Sequence, residues 1–122
     1  MCSIFGILDI TTDASELRSK ALECSGLLRH RGPDWSGIWS NNKAILAHER
    51  LAIVDLENGA QPLVNNNRNH ILAVNGEIYN HKALKANLTQ PFEFQTQSDC
   101  EVILAFYQEE GLGFIDKLKG MF

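Results

Sequence analysis

The sequence predicts one α+β domain built on a mainly antiparallel sheet, and three observations carry that prediction. Patterned segments run in the order strand, helix, several strands, helix, strand, helix, unlike the regular alternation of a doubly wound parallel fold. The 122 residues, 44% hydrophobic and 21% charged, suit one globular domain. No internal repeat, low-complexity tract or linker divides them.

"SIFGILDI" is short, β-branched and bounded by the polar "TTD", which predicts a buried strand. Asp13 with Glu16 three residues later makes a capping-box-like helix start. Leu17, Ala21, Cys24 and Leu28 then recur at steps of three or four, one apolar face on which Cys24 reads as inert core. Gly32, Pro33 and Gly37 end that helix near "RHRGPDWSG". "SGIWS", the turn "NN" and "KAILAHERLAIVDL" predict two strands or one long bent one. "ENGAQPL" is a turn, "NNNRN" a polar loop and "HILAVNGEIYN" a further strand. "HKALKANL" reads as a short helix with Ala83, Leu84 and Leu88 on one side, and "PFEFQTQ" as a short strand. "SDCEVILAFYQEEG" predicts a helix from a Ser98/Asp99 cap to Gly111, and "LGFIDKLKG" another helical turn or two. The closing "GMF" looks like the beginning of a strand, so a truncated domain is expected.

A formal charge of −4 without a long run of one sign argues against a nucleic-acid stripe or a basic membrane patch. No apolar stretch approaches the roughly 20 residues of a membrane span. The N-terminus has no basic region before its apolar run, which Asp9 interrupts, so a signal peptide is not expected. Three widely spaced cysteines (Cys2, Cys24, Cys100) fit a reducing cytoplasm better than a disulfide framework. The four scattered histidines show no metal-ligand spacing, so no metal site is expected.

Cys2 is the first candidate for chemistry. A free cysteine thiol has a pKa near ~8.5 and needs a base. If Met1 is removed, Cys2 carries an α-amine of pKa roughly 7.7–8.0, which can take that proton directly or through water. A small second residue without any role is the plainer alternative. In "LAVNGEIYN", Asn75 offers a side-chain amide and Gly76 an unshielded backbone N–H, two donors suited to an oxyanion. The same dipeptide is equally a hairpin-turn signal. Glu77 adds a carboxylate suited to a substrate ammonium. Arg50, beside the apolar "LAIV", has a planar fork that grips carboxylates, although an internal ion pair with Glu49 or Asp55 would also explain it. Asp99 serves either as a helix cap or as a second anion for an ammonium. "RHRGPDWSG" concentrates Arg29, His30, Arg31 and Asp34, either in an ordered loop over a site or in a solvated helix end. Taken together, these groups suit a free amino acid with a scissile carbonyl in its side chain, and glutamine fits.

In this order, "MCSIFGI", "RHRGPDWSG", "AHERLAIVD", "GAQPL", "NGEIYNH" and "SDCEVIL" resemble class II glutamine amidotransferase domains. The likeness is greatest to the glutamine-hydrolysing asparagine synthetases of the bacterial B type and covers essentially the whole chain. The resemblance implies an N-terminal-nucleophile (Ntn) hydrolase fold, a four-layer αββα sandwich, and loss of Met1. It implies Cys2 as nucleophile with its α-amine as base, and Asn75 and Gly76 as the oxyanion hole. It implies Arg50 on the glutamine α-carboxylate and Glu77 and Asp99 on the α-ammonium. The stretch Leu51, Ala52, Ile53 and Val54 would line the same pocket, with Arg31 behind the thiol.

By the same resemblance the glutaminase domain extends beyond residue 122. A separate synthetase domain of the same polypeptide would bind ATP, magnesium and aspartate and receive the ammonia. No cofactor is expected in the glutaminase part. The expected partners are L-glutamine and that synthetase domain, with neither nucleic acid nor membrane; the location is cytoplasmic, and a homodimer is compatible. Two alternatives stand beside this reading. One is a glutaminase serving another acceptor, such as a sugar phosphate or a phosphoribosyl group. The other is a non-catalytic fragment that retains Met1.

Overall fold

The computed structural model describes residues 1–55 and 57–122. Strand β1 (Ser3–Ile7) leads to helix α1 (Ala14–Gly26), then to strands β2 (Trp35–Ser40) and β3 (Ile45–Arg50). These strands form an antiparallel sheet in the order β1-β3-β2, with Ser3 opposite Glu49 and Trp35 opposite Arg50. The Asp13 carboxylate accepts the Ser15 N–H at 2.8 Å, which caps α1 as expected and holds the Asp13 carboxyl below its usual range.

The two-residue period of a strand explains why β3 carries both core and site. Ile45 packs with Ile10, Ala14 and Ala21 and with the partly buried Phe5, Ile7, Leu17 and Ile38, and Ala47, two residues on along β3, is fully buried as well. Glu49 shares that face, and its carboxylate accepts from Ser25 of α1 at 2.7 Å and from Ser36 of β2. His48 and Arg50 alternate onto the opposite face, where both remain buried.

Beyond Arg50 the chain leaves the sheet. The strand reading of "LAIVDL" fails over Leu51–Asp55, and Leu56 lies outside the described residues. Short strands follow: β4 (Leu63–Val64) pairs with β5 (Ile71–Leu72), and β6 (Glu77–Ile78) pairs with β7 (Gly120–Met121). The apolar "GMF" thus supplies a strand, and that strand is paired. Helix α2 (His81–Ala86) comes next, and a 3₁₀ turn over Asp99–Glu101 leads into α3 (Val102–Glu110). Gly111 ends α3 at φ 64°, where an L side chain would be strained, and a 3₁₀ stretch continues over Gly111–Lys117. A second core packs Val102, Leu104 and Phe106 of α3 against Leu63, Ile78, Leu84 and Phe114.

"PFEFQTQ" forms no strand, contrary to expectation. Its amides go to side chains: Gln95 and Thr96 donate to the buried Glu101 carboxylate at 2.7 and 2.8 Å, and Gln97 donates to Asp55 at 2.7 Å. Backbone donors satisfied in this way have no need of a neighbouring strand.

Candidate functional site

A cleft of about 60 Å³ opens between the two cores, where the non-helical face of the β1-β3-β2 sheet meets the segment around Gly76. Its walls include Met1, Cys2, Arg50, Leu51, Ile53, Val54, Asn75, Gly76, Glu77 and Asp99. Two residues that the resemblance assigned to the site are not in its lining. Arg31 is solvent-exposed. Ala52 turns its amide to the Asp34 carboxylate at 2.9 Å.

Cys2 sits at the foot of β1. The Leu51 amide donates to its sulfur at 3.3 Å, and the Leu51 carbonyl oxygen lies 3.6 Å from the same atom. Arg50 occupies the final position of β3, 6% exposed. Its Nη2 donates to the carbonyl oxygens of Val54 at 2.8 Å and Asp55 at 2.5 Å. The expected ion pair with Glu49 or Asp55 does not form among the described residues. Glu49 is occupied by two serines, and Asp55 offers Arg50 its carbonyl rather than its carboxylate. The guanidinium therefore both lines the cleft and folds "LAIVD" into its wall, and Asp55 turns there with φ 53°.

Asn75 and Gly76 fall between β5 and β6, which pair with different partners. Neither has a positive φ, whereas the favoured two-residue hairpin turn for Asn-Gly requires it at both central positions. The structure therefore sets the hairpin alternative aside. A Cβ at Gly76 would lie 2.5 Å from the Met121 carbonyl oxygen and 2.6 Å from Phe122 Cβ, so only glycine fits beneath that strand.

Asp99 is 6% exposed and accepts the Ile78 N–H at 2.6 Å. The helix cap belongs to its neighbour: Ser98 accepts from Cys100 N at 3.3 Å. Cys100 is the second thiol of the cleft, and sequence reasoning did not single it out. Burial first, and then the Asp99 carboxylate, push its pKa far above the usual thiol range. It stays protonated, and its S–H is shared between the Gly76 carbonyl oxygen at 3.4 Å and Asp99 Oδ2 at 3.7 Å.

Three further residues organise the cleft. Gln61 accepts the Val74 N–H at 2.7 Å. Asp34 receives Ala52, as above, and its own amide donates to the Arg50 carbonyl at 3.0 Å, which fixes the "RHRGPD" loop to the end of β3. Asp55 accepts from Gln97 at 2.7 Å and Asn58 at 3.2 Å, joining two loops of the rim. The motifs "GAQPL" and "RGPD" were the sequence signals, but their contacts span gaps that no local pattern encodes.

The arrangement offers a thiol, a cation, two carboxylates and an amide-plus-glycine pair around one small space. That set can hold a zwitterionic amino acid by its two charges while its distal carbonyl meets the sulfur.

The chain matches the glutamine amidotransferase domain family over residues 1–122. It is 67% identical over 122 residues to asparagine synthetase B (glutamine-hydrolyzing) of Escherichia coli, covering 100% of this chain and 22% of that protein. It is 54% identical over 124 residues to a probable glutamine-hydrolyzing asparagine synthetase of Dictyostelium discoideum, again covering 100% of this chain and 22% of the relative. The corresponding Schizosaccharomyces pombe protein is 52% identical over 122 residues, with 22% of its length covered. The chain thus spans about a fifth of the length of these relatives.

Proposed function

Because this chain belongs to the family of glutamine amidotransferase domains, we propose that it hydrolyses the side-chain amide of L-glutamine through a γ-glutamyl thioester on Cys2. The Cys2 sulfur adds to the amide carbonyl carbon while its proton passes to the α-amine exposed by loss of Met1. The resulting oxyanion is met by the Asn75 side-chain amide and the Gly76 N–H. Collapse expels ammonia, which takes up the proton. Water then adds to the thioester, releases glutamate and restores the thiol. Arg50 holds the α-carboxylate, Glu77 and Asp99 hold the α-ammonium, and Leu51 to Val54 shape the wall. The observation that carries this reading is that Cys2, Arg50, Asn75 and Gly76 line one cleft.

The reading extends to the fold and to the longer protein. A sheet with a helix on one face and the site on the other suits half of a four-layer Ntn sandwich. The ammonia would pass to a synthetase domain of the same polypeptide, cytoplasmic, that uses ATP and magnesium to make asparagine.

Met1 itself lines the cleft. A second reading is a chain that keeps Met1, has an amide in place of the amine, and does not turn over. Intact mass spectrometry with and without an electrophilic glutamine analogue separates the two. The main reading expects loss of one methionine and one adduct on Cys2. An intact Met1 and no adduct would overturn it.

A further inference from the structure

We infer that His48 is a positioning residue that sets the Asn75–Gly76 donor pair through the carbonyl of Val74; this rests on the glutaminase reading above. His48 is 0% exposed on β3, two residues from Arg50 and on the same face. Its Nε2 lies 2.9 Å from the Val74 carbonyl oxygen. A carbonyl only accepts, so Nε2 carries the proton. Burial is the main cause that lowers the imidazole pKa, and Arg50 adds to it, so the ring is neutral and Nδ1 is bare. Nδ1 has no partner among the described residues. A buried ring that leaves one nitrogen unpaired while committing the other to a distant carbonyl is costly as packing alone.

The segment it holds is fixed by side chains and not by a sheet. Residues 73–76 belong to no strand, so no ladder orients their peptides. The Val74 carbonyl shares its peptide plane with the Asn75 nitrogen, so holding that oxygen fixes where Asn75 leaves the backbone. Gln61 grips the Ala73–Val74 peptide through Val74 N at 2.7 Å, and Cys100 grips the Gly76–Glu77 peptide through the Gly76 carbonyl at 3.4 Å. Three side chains from separate parts of the chain thus bracket the Asn75–Gly76 peptide, whose N–H is one of the two proposed oxyanion donors. Oxyanion donors act only when they are aimed before the charge develops, so a device for aim must lie outside the donors themselves.

The test compares His48→Leu with His48→Gln in the full-length protein. Leucine removes the donor, whereas the glutamine amide reaches to where Nε2 was. In His48→Leu, kcat for glutamine hydrolysis should fall on the order of 10- to 100-fold, below the loss for deleting a donor outright. KM should change by less than about threefold. Alkylation of Cys2 by iodoacetamide forms no oxyanion and should keep its wild-type rate. His48→Gln should recover most of kcat. If His48→Leu does not fold, His48→Asn replaces it, since its amide is one methylene too short to reach Val74. An unchanged kcat in a folded donor-less variant would overturn the inference, as would a parallel loss of kcat, glutamine affinity and alkylation rate. Glutamine hydrolysis that survives Cys2→Ala would instead overturn Cys2 as the nucleophile, and a wild-type protein that hydrolyses no glutamine would overturn the glutaminase reading itself.

Discussion

The Leu51 amide donates to the Cys2 sulfur at 3.3 Å, so the residue just after β3 and the residue just before β1 are joined at the cleft. The contact bridges residues 49 positions apart and places the thiol beside Arg50, the cation of the same wall. A main-chain donor on the sulfur fixes the thiol at the cleft wall, which suits the near-attack geometry that a bound substrate needs.

Replacing that sulfur is the most direct check of the proposed nucleophile. Cys2→Ala should abolish glutamine hydrolysis in the full-length protein while ammonia-dependent synthesis continues. Ammonia release and asparagine formation, measured side by side, read the two activities separately. Loss of both would point to misfolding instead.

Arg50 should affect binding and the wall together. Arg50→Ala removes a carboxylate partner and leaves the Val54 and Asp55 carbonyls without their donor. KM for glutamine should rise about 10-fold or more, since a charged hydrogen bond contributes about 1.5–3 kcal/mol. Arg50→Lys keeps the charge but loses the planar fork and should fall between. Steady-state kinetics decides, and an unchanged KM in Arg50→Ala would remove the carboxylate role.

At Asp99, charge and hydrogen bonding can be separated. Asp99→Asn keeps an oxygen that can accept the Ile78 N–H and loses the negative charge. Its melting temperature should stay near wild type while KM for glutamine rises. Asp99→Ala should lose both, because a buried N–H is left unpaired. Thermal denaturation beside kinetics distinguishes the two effects.

Gly32 should not tolerate a side chain. A Cβ there would run into the Glu49 carbonyl, on a strand already fixed from both sides. Gly32→Ala should cost about 1–3 kcal/mol by overpacking. The urea midpoint measures it, and an unchanged midpoint would show that the "RHRG" turn can move away from β3.

Stability should decline on mild acidification. Burial lowers the imidazole pKa of both His48 and His81 from the ordinary value of 6.5. Below that value the unfolded chain takes up protons that the folded rings refuse, so the unfolded state gains. The contribution is complete above the unfolded value, starts to be lost as pH falls below it, and is gone once pH has fallen through the lowered folded value. The lowered carboxyls of Asp13 and Glu109 act later, from ordinary values of 3.8 and 4.5. Urea midpoints between about pH 8 and pH 5 should therefore fall, and less so in His48→Gln. A flat profile would contradict the effect.

Local signals made much of the first half legible. The Asp13 cap, the helix after it and the strands Trp35–Ser40 and Ile45–Arg50 each follow from capping chemistry and residue pattern. The second half was less legible because its backbone is satisfied by side chains far away in sequence. Glu101 takes the amides that made "PFEFQTQ" look like a strand. Arg50 takes the carbonyls that would have extended "HERLAIVD".

The sequence by itself determined the chemical inventory: a thiol at the second position, an arginine ending a strand, an Asn-Gly pair and two acids, in motifs specific enough to indicate a family. Residue type and order are local properties, so these could be read directly. Only the tertiary structure decided that they share one cleft, that Asn75–Gly76 is not a hairpin turn, and that Cys100, Gln61 and His48 surround that pair. Those outcomes depend on contacts between segments separated by tens of residues, whose geometry is fixed by the packing of two cores and not by the pattern of any one segment.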